Sequence, residues 1–149
     1  MTTDAPFQLD GFLAFRLARA ASEVSQRLSK AYAGFDLDVP QWRVLATIAD
    51  RAPVTAQDIV ASTRTHKSTI SRAVRKLTER GWIERVRSNE DGRAWALQFT
   101  SKGEARFEEL LPLVRGFERE MERELGREAL LALQAGLDGL ETVLDVGWS

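Results

Sequence analysis

The sequence predicts a mainly α-helical fold with one small antiparallel β-hairpin. The patterns that support this prediction lie in residues 55–100. Two short helices are separated there by a polar break at 62–65. The apolar residues of the second helix recur at i, i+3, i+4 and i+7, as Ile70, Ala73, Val74 and Leu77. β-Branched and aromatic segments follow at 82–87 and 94–99, with a polar turn between them. This order outlines a winged helix-turn-helix, whose second helix can enter a major groove while the hairpin, or wing, reaches the flanking backbone or minor groove.

Local signals define the ends of these elements. Pro40 stands where a proline opens a helix, and Val54 is expected to add a short strand beside the hairpin. Thr55 and Asp58 have the spacing of a capping box, in which each side chain satisfies a backbone N–H at the start of a helix. Gly81 ends the second helix, because a residue without Cβ adopts the left-handed conformation at low cost.

The second helix has a polar face that is free of carboxylates until Glu79. Its residues are Lys67, Ser68, Thr69, Ser71, Arg72, Arg75 and Lys76. We expect this face to contact DNA. The residues nearest the helix start that can meet base edges are Ser68, Thr69, Ser71 and Arg72, since arginine pairs bidentately with guanine and threonine offers its methyl group to thymine. The lysines and Arg75 are expected to hold phosphates, and for Arg85 and Arg87 on the hairpin phosphate contact and plain solvation are equally compatible with the sequence.

Composition narrows the chemistry that the chain can perform. It contains no cysteine and a single histidine, His66. Neither a disulfide framework, nor a thiol nucleophile, nor a metal site is therefore expected. His66 precedes the DNA-facing helix, where it can cap the helix or touch phosphate, and it has no identifiable catalytic partner. We expect no enzymatic activity, no catalytic residue and no cofactor.

Charge is unevenly distributed along the chain. The net charge is −1 at pH 7, yet residues 63–93 contain nine Lys or Arg against four Asp or Glu, and the remainder twelve against eighteen. Positive charge concentrated on one surface attracts a polyanion whatever the total. The basic segment coincides with the predicted recognition helix and wing, which indicates double-stranded DNA as a partner.

The N-terminal sequence MTTDAPFQLD lacks the basic and apolar regions of a signal peptide. No apolar run approaches the ~20 residues that cross a bilayer. These features predict a cytoplasmic protein without a membrane partner.

Long helices are predicted on both sides of the winged part. We expect a single domain over 1–149, with the winged helix-turn-helix at about 38–100 and dimerisation helices at about 9–34 and 101–146. The apolar surface of these helices exceeds what the winged part needs for its own core, and the last helix carries a leucine seam that requires a partner helix. A two-fold homodimer would cover it and present two recognition helices to one face of DNA. The predicted interface residues are Leu13, Leu17, Leu130, Leu133, Leu137, Leu140 and Leu144.

The sequence also resembles the MarR family of bacterial regulators, named for multiple antibiotic resistance, from about residue 10 to 146. The residues that carry the resemblance are Gln41-Trp42-Arg43-Val44-Leu45, His66-Lys67-Ser68-Thr69-Ile70-Ser71-Arg72, Leu77 with Arg80-Gly81-Trp82-Ile83, Asp91-Gly92-Arg93, and Leu97, Thr100 and Lys102-Gly103. A helix-turn-helix pattern alone is weakly specific, whereas these motifs in this order are highly specific together. The resemblance implies an obligate dimer that binds a palindromic operator, usually as a repressor, and is released by a small ligand, often phenolic or an aromatic acid.

The resemblance also implies roles for individual residues. In the family, the arginine of the Asp-Gly-Arg wing enters a minor groove while the aspartate braces it or another arginine, which assigns these roles to Arg93 and Asp91; from the sequence alone Arg93 could also be a plain exposed charge of the hairpin. Ligand pockets lie where the first, second and fifth helices meet, and small aromatic ligands require an apolar pocket with one or two polar groups. The candidate ligand contacts are Phe12, Phe15, Arg16 and Trp42. Aromatic residues at helical spacing are most often part of a core, and Arg16 could instead extend its charge to solvent along an apolar surface or join an interface ion pair.

One alternative from another functional class stays open at this point. A winged-helix fold can bind a protein partner without reading DNA, in which case the basic face is incidental. Duplex binding that weakens steeply with salt distinguishes the regulator from such a protein interaction module.

Overall fold

The computed structural model of the chain describes residues 5–87 and 95–146. The helices are α1 (Leu13–Tyr32), α2 (Val39–Arg51), α3 (Ala56–Thr63), α4 (Lys67–Glu79), α5 (Ser101–Leu125) and α6 (Arg127–Leu144). The strands are β1 (Val54–Thr55), β2 (Ile83–Arg87) and β3 (Trp95–Phe99). Short 3₁₀ turns precede and follow α1, at Leu9–Gly11 and Ala33–Phe35. The fold is mainly helical with a small antiparallel sheet, as the sequence predicts.

The helix starts are fixed by side-chain caps. Asp38 caps α2 by accepting a hydrogen bond from the Gln41 N–H at 2.9 Å, and the Gln41 side chain accepts from the Asp38 N–H at 3.0 Å. Pro40 lies in the first turn of α2, as expected. The predicted capping box of α3 is confirmed, since Thr55 and Asp58 exchange hydrogen bonds of 3.1 and 3.2 Å. These caps supply the N–H partners that a helix start lacks.

The predicted break between α3 and α4 begins later than the sequence suggests. Ser62 and Thr63 belong to α3, because the Thr63 hydroxyl donates to the Ile59 carbonyl at 2.6 Å and the Ser62 hydroxyl donates to the same oxygen at 3.3 Å. Such bonds let serine and threonine stay inside a helix. The chain turns instead at Arg64, whose φ of 54° is left-handed.

The sheet has the strand order β1–β3–β2 with antiparallel pairs. Val54 pairs with Leu97, which confirms the short strand predicted before α3. In the hairpin Ile83 pairs with Phe99 and Arg87 with Trp95. Gly81, with φ of 74°, joins α4 to β2 in the left-handed conformation expected of it.

The core lies between α2, α3, α4 and the sheet, and the C-terminal end of α1 and the first half of α5 complete it. Its largest fully buried side chains are Tyr32, Leu45, Ile48, Ile59, Ile70, Leu77, Ile83, Leu97, Leu110 and Val44. An aromatic cluster joins α1, α2, α5 and β3. Trp42 stacks on Tyr32 at 5.6 Å and on Phe107 at 6.2 Å, and Phe107 contacts Phe99 at 5.3 Å between ring centroids.

The flanking helices leave much apolar surface uncovered. α6 packs on α5 and has no buried residue within the described chain. In α1 the only buried residue is Tyr32, at its C-terminal end. Most of the leucines on both helices are therefore exposed or half-buried in one chain. None of the helices within 5–87 and 95–146 is long and apolar enough to cross a membrane.

Candidate nucleic-acid interface

The two faces of α4 differ sharply in burial. Ile70, Ala73, Val74 and Leu77 are at most 3% exposed, and they fix the helix against α2 and α3. The predicted DNA-facing residues lie on the other side. Thr69 is half-buried, and the exposed members are Lys67, Ser68, Ser71, Arg72, Arg75 and Lys76. No acidic residue lies in the first turn. The exposed face therefore combines cations with the positive end of the helix dipole.

His66 caps the start of α4. Its Nδ1 accepts a hydrogen bond from the Ser68 N–H at 3.2 Å and lies 2.8 Å from the Ser68 hydroxyl. The Ser68 hydroxyl is therefore engaged in the cap. Of the four residues predicted to meet base edges, Ser71 and Arg72 are exposed and take part in no such cap within 5–87 and 95–146, which leaves them best placed for base contacts.

A long side chain joins α2 to the turn before α4. The Arg43 guanidinium donates to the Thr65 hydroxyl at 3.1 Å, and Thr65 in turn donates to the Thr63 carbonyl at 3.4 Å. This link orders the turn between the two helices of the helix-turn-helix. Because the Arg43 guanidinium is engaged in this hydrogen bond, we interpret Arg43 as a residue that supports the helix-turn-helix.

The root of the wing carries the two arginines predicted there. Arg85 and Arg87 are exposed on β2, and the Arg87 guanidinium lies 5.4 Å from the centre of the Trp95 ring, across the hairpin. Trp95 is 51% exposed although its strand neighbour Leu97 is buried. The predicted wing residues Asp91 and Arg93 lie outside the described residues.

Three of the predicted ligand contacts lie at the N-terminal end of α1. Phe12 is 50% exposed and meets Phe7 edge-on at 5.7 Å, while Phe15 carries the Arg19 guanidinium at 5.2 Å from its ring centre. Arg16 lines an open groove along α1. The other residues of the groove are Leu13, Leu17, Arg19, Ala20, Ser22 and Glu23.

Trp42, the fourth predicted ligand contact, lies at the other end of α1. Its stacking partner Tyr32 is 17 residues after Phe15, which corresponds to about 25 Å of helix. One chain therefore does not bring Trp42 beside Arg16. Tyr32 is 1% exposed, and its hydroxyl has no hydrogen-bond partner among the described residues. Burial raises the pKa of this hydroxyl, an effect that the nearby Arg43 charge opposes.

The predicted dimer residues are mostly exposed in one chain. Leu13, Leu133 and Leu144 are 62%, 49% and 57% exposed, and Leu17 and Leu137 are 37% and 39% exposed. Leu130 and Leu140 are half-buried. Within the described part of the chain, five of the seven leucines are therefore more than a third exposed.

The described residues do not assemble a metal-binding cluster. In 5–87 and 95–146 no three His, Cys, Asp or Glu side chains come close enough to hold a metal ion. The sequence patterns assign no role to Tyr32 or Trp95, and Arg80 enters only as part of a family motif. No local signal marks the contacts of Tyr32 and Arg80, because their surroundings are built from distant segments.

Comparison with known proteins gives consistent matches. A family model described as MarR family matches residues 35–94. The HTH-type transcriptional repressor IacR of Pseudomonas putida is 28% identical over 141 residues, which span 94% of this chain and 80% of that protein. YdcH of Bacillus subtilis (strain 168), an uncharacterized HTH-type transcriptional regulator, is 31% identical over 104 residues, or 67% of this chain and 71% of that protein.

Solved structures share the fold. A MarR family transcriptional regulator from Silicibacter pomeroyi DSS superposes with a TM-score of 0.79 at 27% identity, over 95% of this chain and 93% of that one. BpsR of Bordetella bronchiseptica, whose DNA binding is regulated by 6-hydroxynicotinic acid, superposes with a TM-score of 0.78 at 19% identity, over 92% and 98% of the two chains. The second likeness, at that identity, is one of fold.

Proposed function

The chain belongs to the MarR family of transcriptional regulators, and on that premise we propose that it is a dimeric repressor released from a palindromic operator by a small aromatic acid or phenol. Family membership confirms the expectation of a DNA-binding regulator and not an enzyme. IacR is described as a repressor, and this supports our proposal that the chain represses transcription and does not activate it. We assign the activity to the cytoplasm, where bacterial DNA lies.

The observation that carries the proposal is the division of α4 into two faces. Apolar side chains hold the helix in the core, and the opposite face offers only hydroxyls and cations to a partner. Phosphate contacts give affinity and base contacts give specificity. We therefore assign the phosphates to Lys67, Arg75 and Lys76. We assign the contacts with base edges to Thr69, Ser71 and Arg72. Ser68 contributes indirectly, because its hydroxyl and its N–H take part in the His66 cap of α4.

The wing completes this interface. Arg85 and Arg87 bring further positive charge to the hairpin root. By analogy with the family, Arg93 enters the minor groove and Asp91 braces it. Narrow, A·T-rich minor grooves concentrate negative potential and attract arginine.

Salt dependence of duplex binding tests this proposal. Each phosphate contact that releases a counterion adds about one to the slope of log K against log salt. We expect Arg75→Ala with Lys76→Ala to lower both the affinity and the slope. The matched control, Arg119→Ala with Arg123→Ala, removes the same charge from α5 and should leave the slope unchanged. If the wild-type protein bound no duplex at low salt, the protein interaction module would be the better interpretation.

The dimer is proposed from apolar surface that one chain leaves open. A leucine seam repeating at three and four residues packs against another helix, and water makes its exposure unfavourable. Pairing α1, α5 and α6 of two chains would cover it and set the two copies of α4 apart for two half-sites, roughly one helical turn or ~34 Å. Homodimerisation through the seven predicted leucines is thus the simplest way to account for this surface.

Sedimentation tests the dimer. Leu137→Asp with Leu140→Asp introduces charge into the seam, and we expect a monomer at micromolar concentration. Leu131→Asp is the matched control, because Leu131 is 54% exposed but lies on the opposite side of α6. A tight dimer in the seam variant would place the interface elsewhere.

The effector is proposed to bind along α1, at the end that carries Arg16. The groove there combines leucines with the guanidinium groups of Arg16 and Arg19, and because Arg19 pairs with Asp10, we assign the carboxylate of an aromatic acid to Arg16. Phe12 and Phe15 flank it, and a partner chain covering α1 would enclose it. BpsR, with its response to an aromatic acid, supports this ligand class. Trp42 stacks on Tyr32 and Phe107, so we base the effector proposal on Arg16.

Ligand titration tests the effector site. The probe is 6-hydroxynicotinate, with its 3-carboxamide analogue as the neutral comparison. Addition of the acid should weaken operator binding by the wild-type protein, and Arg16→Met should abolish that response while retaining DNA affinity. Lys30→Met is the control, because Lys30 is exposed on the same helix and does not line the groove. An unchanged response of Arg16→Met would exclude this arginine as the carboxylate partner.

A further inference from the structure

The end of the recognition helix is held by a closed ring of four residues, in which one link is a hydrogen bond to a main-chain carbonyl. The Arg80 guanidinium donates from Nη1 to the Asp36 carbonyl at 2.8 Å and from Nη2 to the Phe35 carbonyl at 2.7 Å. It lies 4.3 Å from the centre of the Trp82 ring. The Arg106 guanidinium of α5 lies 5.6 Å from the centre of the same Trp82 ring and 4.7 Å from the centre of the Phe35 ring. The four residues are therefore linked in a closed series of contacts. We call these residues, Phe35, Arg80, Trp82 and Arg106, the arginine–aromatic ring.

The ring joins three parts of the fold that are distant in sequence. Phe35 belongs to the link between α1 and α2, Arg80 and Trp82 follow α4, and Arg106 lies on α5. Two hydrogen bonds to main-chain carbonyls reinforce the junction with α5. Lys102 Nζ donates to the Arg80 carbonyl at 3.0 Å, and the Thr100 N–H donates to the Trp82 carbonyl at 3.0 Å. The C-terminal end of α4 is thereby tied both to the α1–α2 link and to α5.

The chemistry of Arg80 suits positioning and not DNA contact. Two of its N–H groups bind backbone carbonyls, and one face of its guanidinium lies on an aromatic ring. The planar guanidinium of arginine can donate to two acceptors at once while it stacks on an aromatic ring, and a lysine ammonium cannot do both. Arg80 is half-buried, whereas the arginines proposed to touch DNA are exposed.

We propose that Arg80 is a positioning residue that sets the orientation of α4 relative to α5 and the α1–α2 link, so that operator recognition depends on it without direct DNA contact. The inference rests on the proposed DNA-binding function. Base reading requires hydrogen bonds to form at fixed positions in both half-sites, and a tilted helix loses them. Non-specific binding depends on charge near phosphates and tolerates such a tilt.

The test uses full-length Arg80→Lys, which keeps the charge. Two duplexes serve as probes: the sequence that the wild-type protein selects from a randomised library, and a scrambled version of it. We expect affinity for the selected duplex to fall about tenfold, affinity for the scrambled duplex to stay within about twofold, and the salt slope on the scrambled duplex to be unchanged. Arg106→Lys, which breaks the ring from α5, should reduce affinity for the selected duplex in the same selective way.

The matched control is Arg115→Lys, an exposed position on α5 that lies about 13 Å along the helix from Arg106. It should leave both affinities unchanged. A purely structural role for Arg80 would reduce the folded fraction and lower both affinities by one factor, and that result would overturn the proposal. Unchanged affinity for the selected duplex would overturn it as well. Absence of duplex binding by the wild-type protein is a different outcome, which refutes the proposed function itself.

Discussion

Gly103 is the position where the packing allows the least change. A Cβ added there would lie 1.8 Å from the Trp82 carbonyl oxygen, 2.6 Å from its carbon and 2.9 Å from the Trp82 Cα. Ordinary contact begins near 3.4 Å, so Gly103→Ala requires the two backbones to separate by roughly 1.6 Å. The obstacle is main chain on both sides, and no side chain can rotate away to relieve it.

The energetic cost follows from the contacts at this point. The Trp82 carbonyl accepts the Thr100 N–H at 3.0 Å, and the Thr100 hydroxyl caps α5 by accepting from the Gly103 N–H at 3.0 Å. Losing the hydrogen bond costs about 1 kcal/mol, losing the cap about 1 kcal/mol, and overpacking about 1–3 kcal/mol. Alanine in a helix recovers about 1 kcal/mol relative to glycine. We expect Gly103→Ala to lower the free energy of unfolding by about 3 kcal/mol and Tm by roughly 6–12 °C.

Urea and thermal denaturation followed by circular dichroism measure this effect, at equal protomer concentration because a dimer couples stability to concentration. Gly116→Ala is the control on the same helix. The nearest atom to its added Cβ is Arg119 Nη2 at 4.0 Å, so stability should rise by about 0.5–1 kcal/mol. A Gly103→Ala protein within about 1 kcal/mol of wild type would refute the reasoning, since uncompensated backbone overlap exceeds that cost.

Substitutions at four further positions test the DNA-binding region. Arg64→Gly should stabilise the fold by about 0.5–1 kcal/mol in urea denaturation, because φ of 54° is unfavourable for a residue with Cβ; a loss of stability would contradict this. His66→Ala should remove the cap of α4 and cost about 1 kcal/mol, while His66→Asn should retain most of it; equal stability of both variants would argue against a capping role. Arg72→Ala should cost about 1–3 kcal/mol on the operator and relax the preference at one base pair, whereas Lys76→Ala should weaken all duplexes alike, as measured by titration of selected and scrambled DNA. Equal losses on both duplexes for both variants would remove the distinction between base and phosphate contacts.

The sequence predicts best those features that depend on neighbours in the chain. The capping box at Thr55, the strand at Val54 and the left-handed Gly81 are confirmed, since caps, alternation and glycine act within a few residues. The apolar stripe of α4 is confirmed for the same reason. Local patterns thus suffice for the elements and for the outward face of the recognition helix.

Features that depend on distant segments were not predictable. The stacking of Trp42 on Tyr32 and Phe107 joins three helices, and no spacing in the sequence encodes which of their aromatic residues meet. Trp95 follows the alternation of Leu97 and yet is exposed, because it lies at the root of the wing, where the hairpin extends past the core. The contacts of Arg80 with the carbonyls of residues 35 and 36 are likewise invisible to local analysis.

The strand order β1–β3–β2 has a consequence for the order of folding during synthesis. β3 is the last strand to leave the ribosome, but it is the central one and supplies the partner of both others. Until Phe99 has emerged, β1 and β2 have no sheet to join, and the Gly81 carbonyl lacks the Thr100 hydroxyl that binds it. A nascent chain that stops at Arg87 should therefore hold helices without a sheet, and the recognition helix should acquire its fixed position only in the last third of translation.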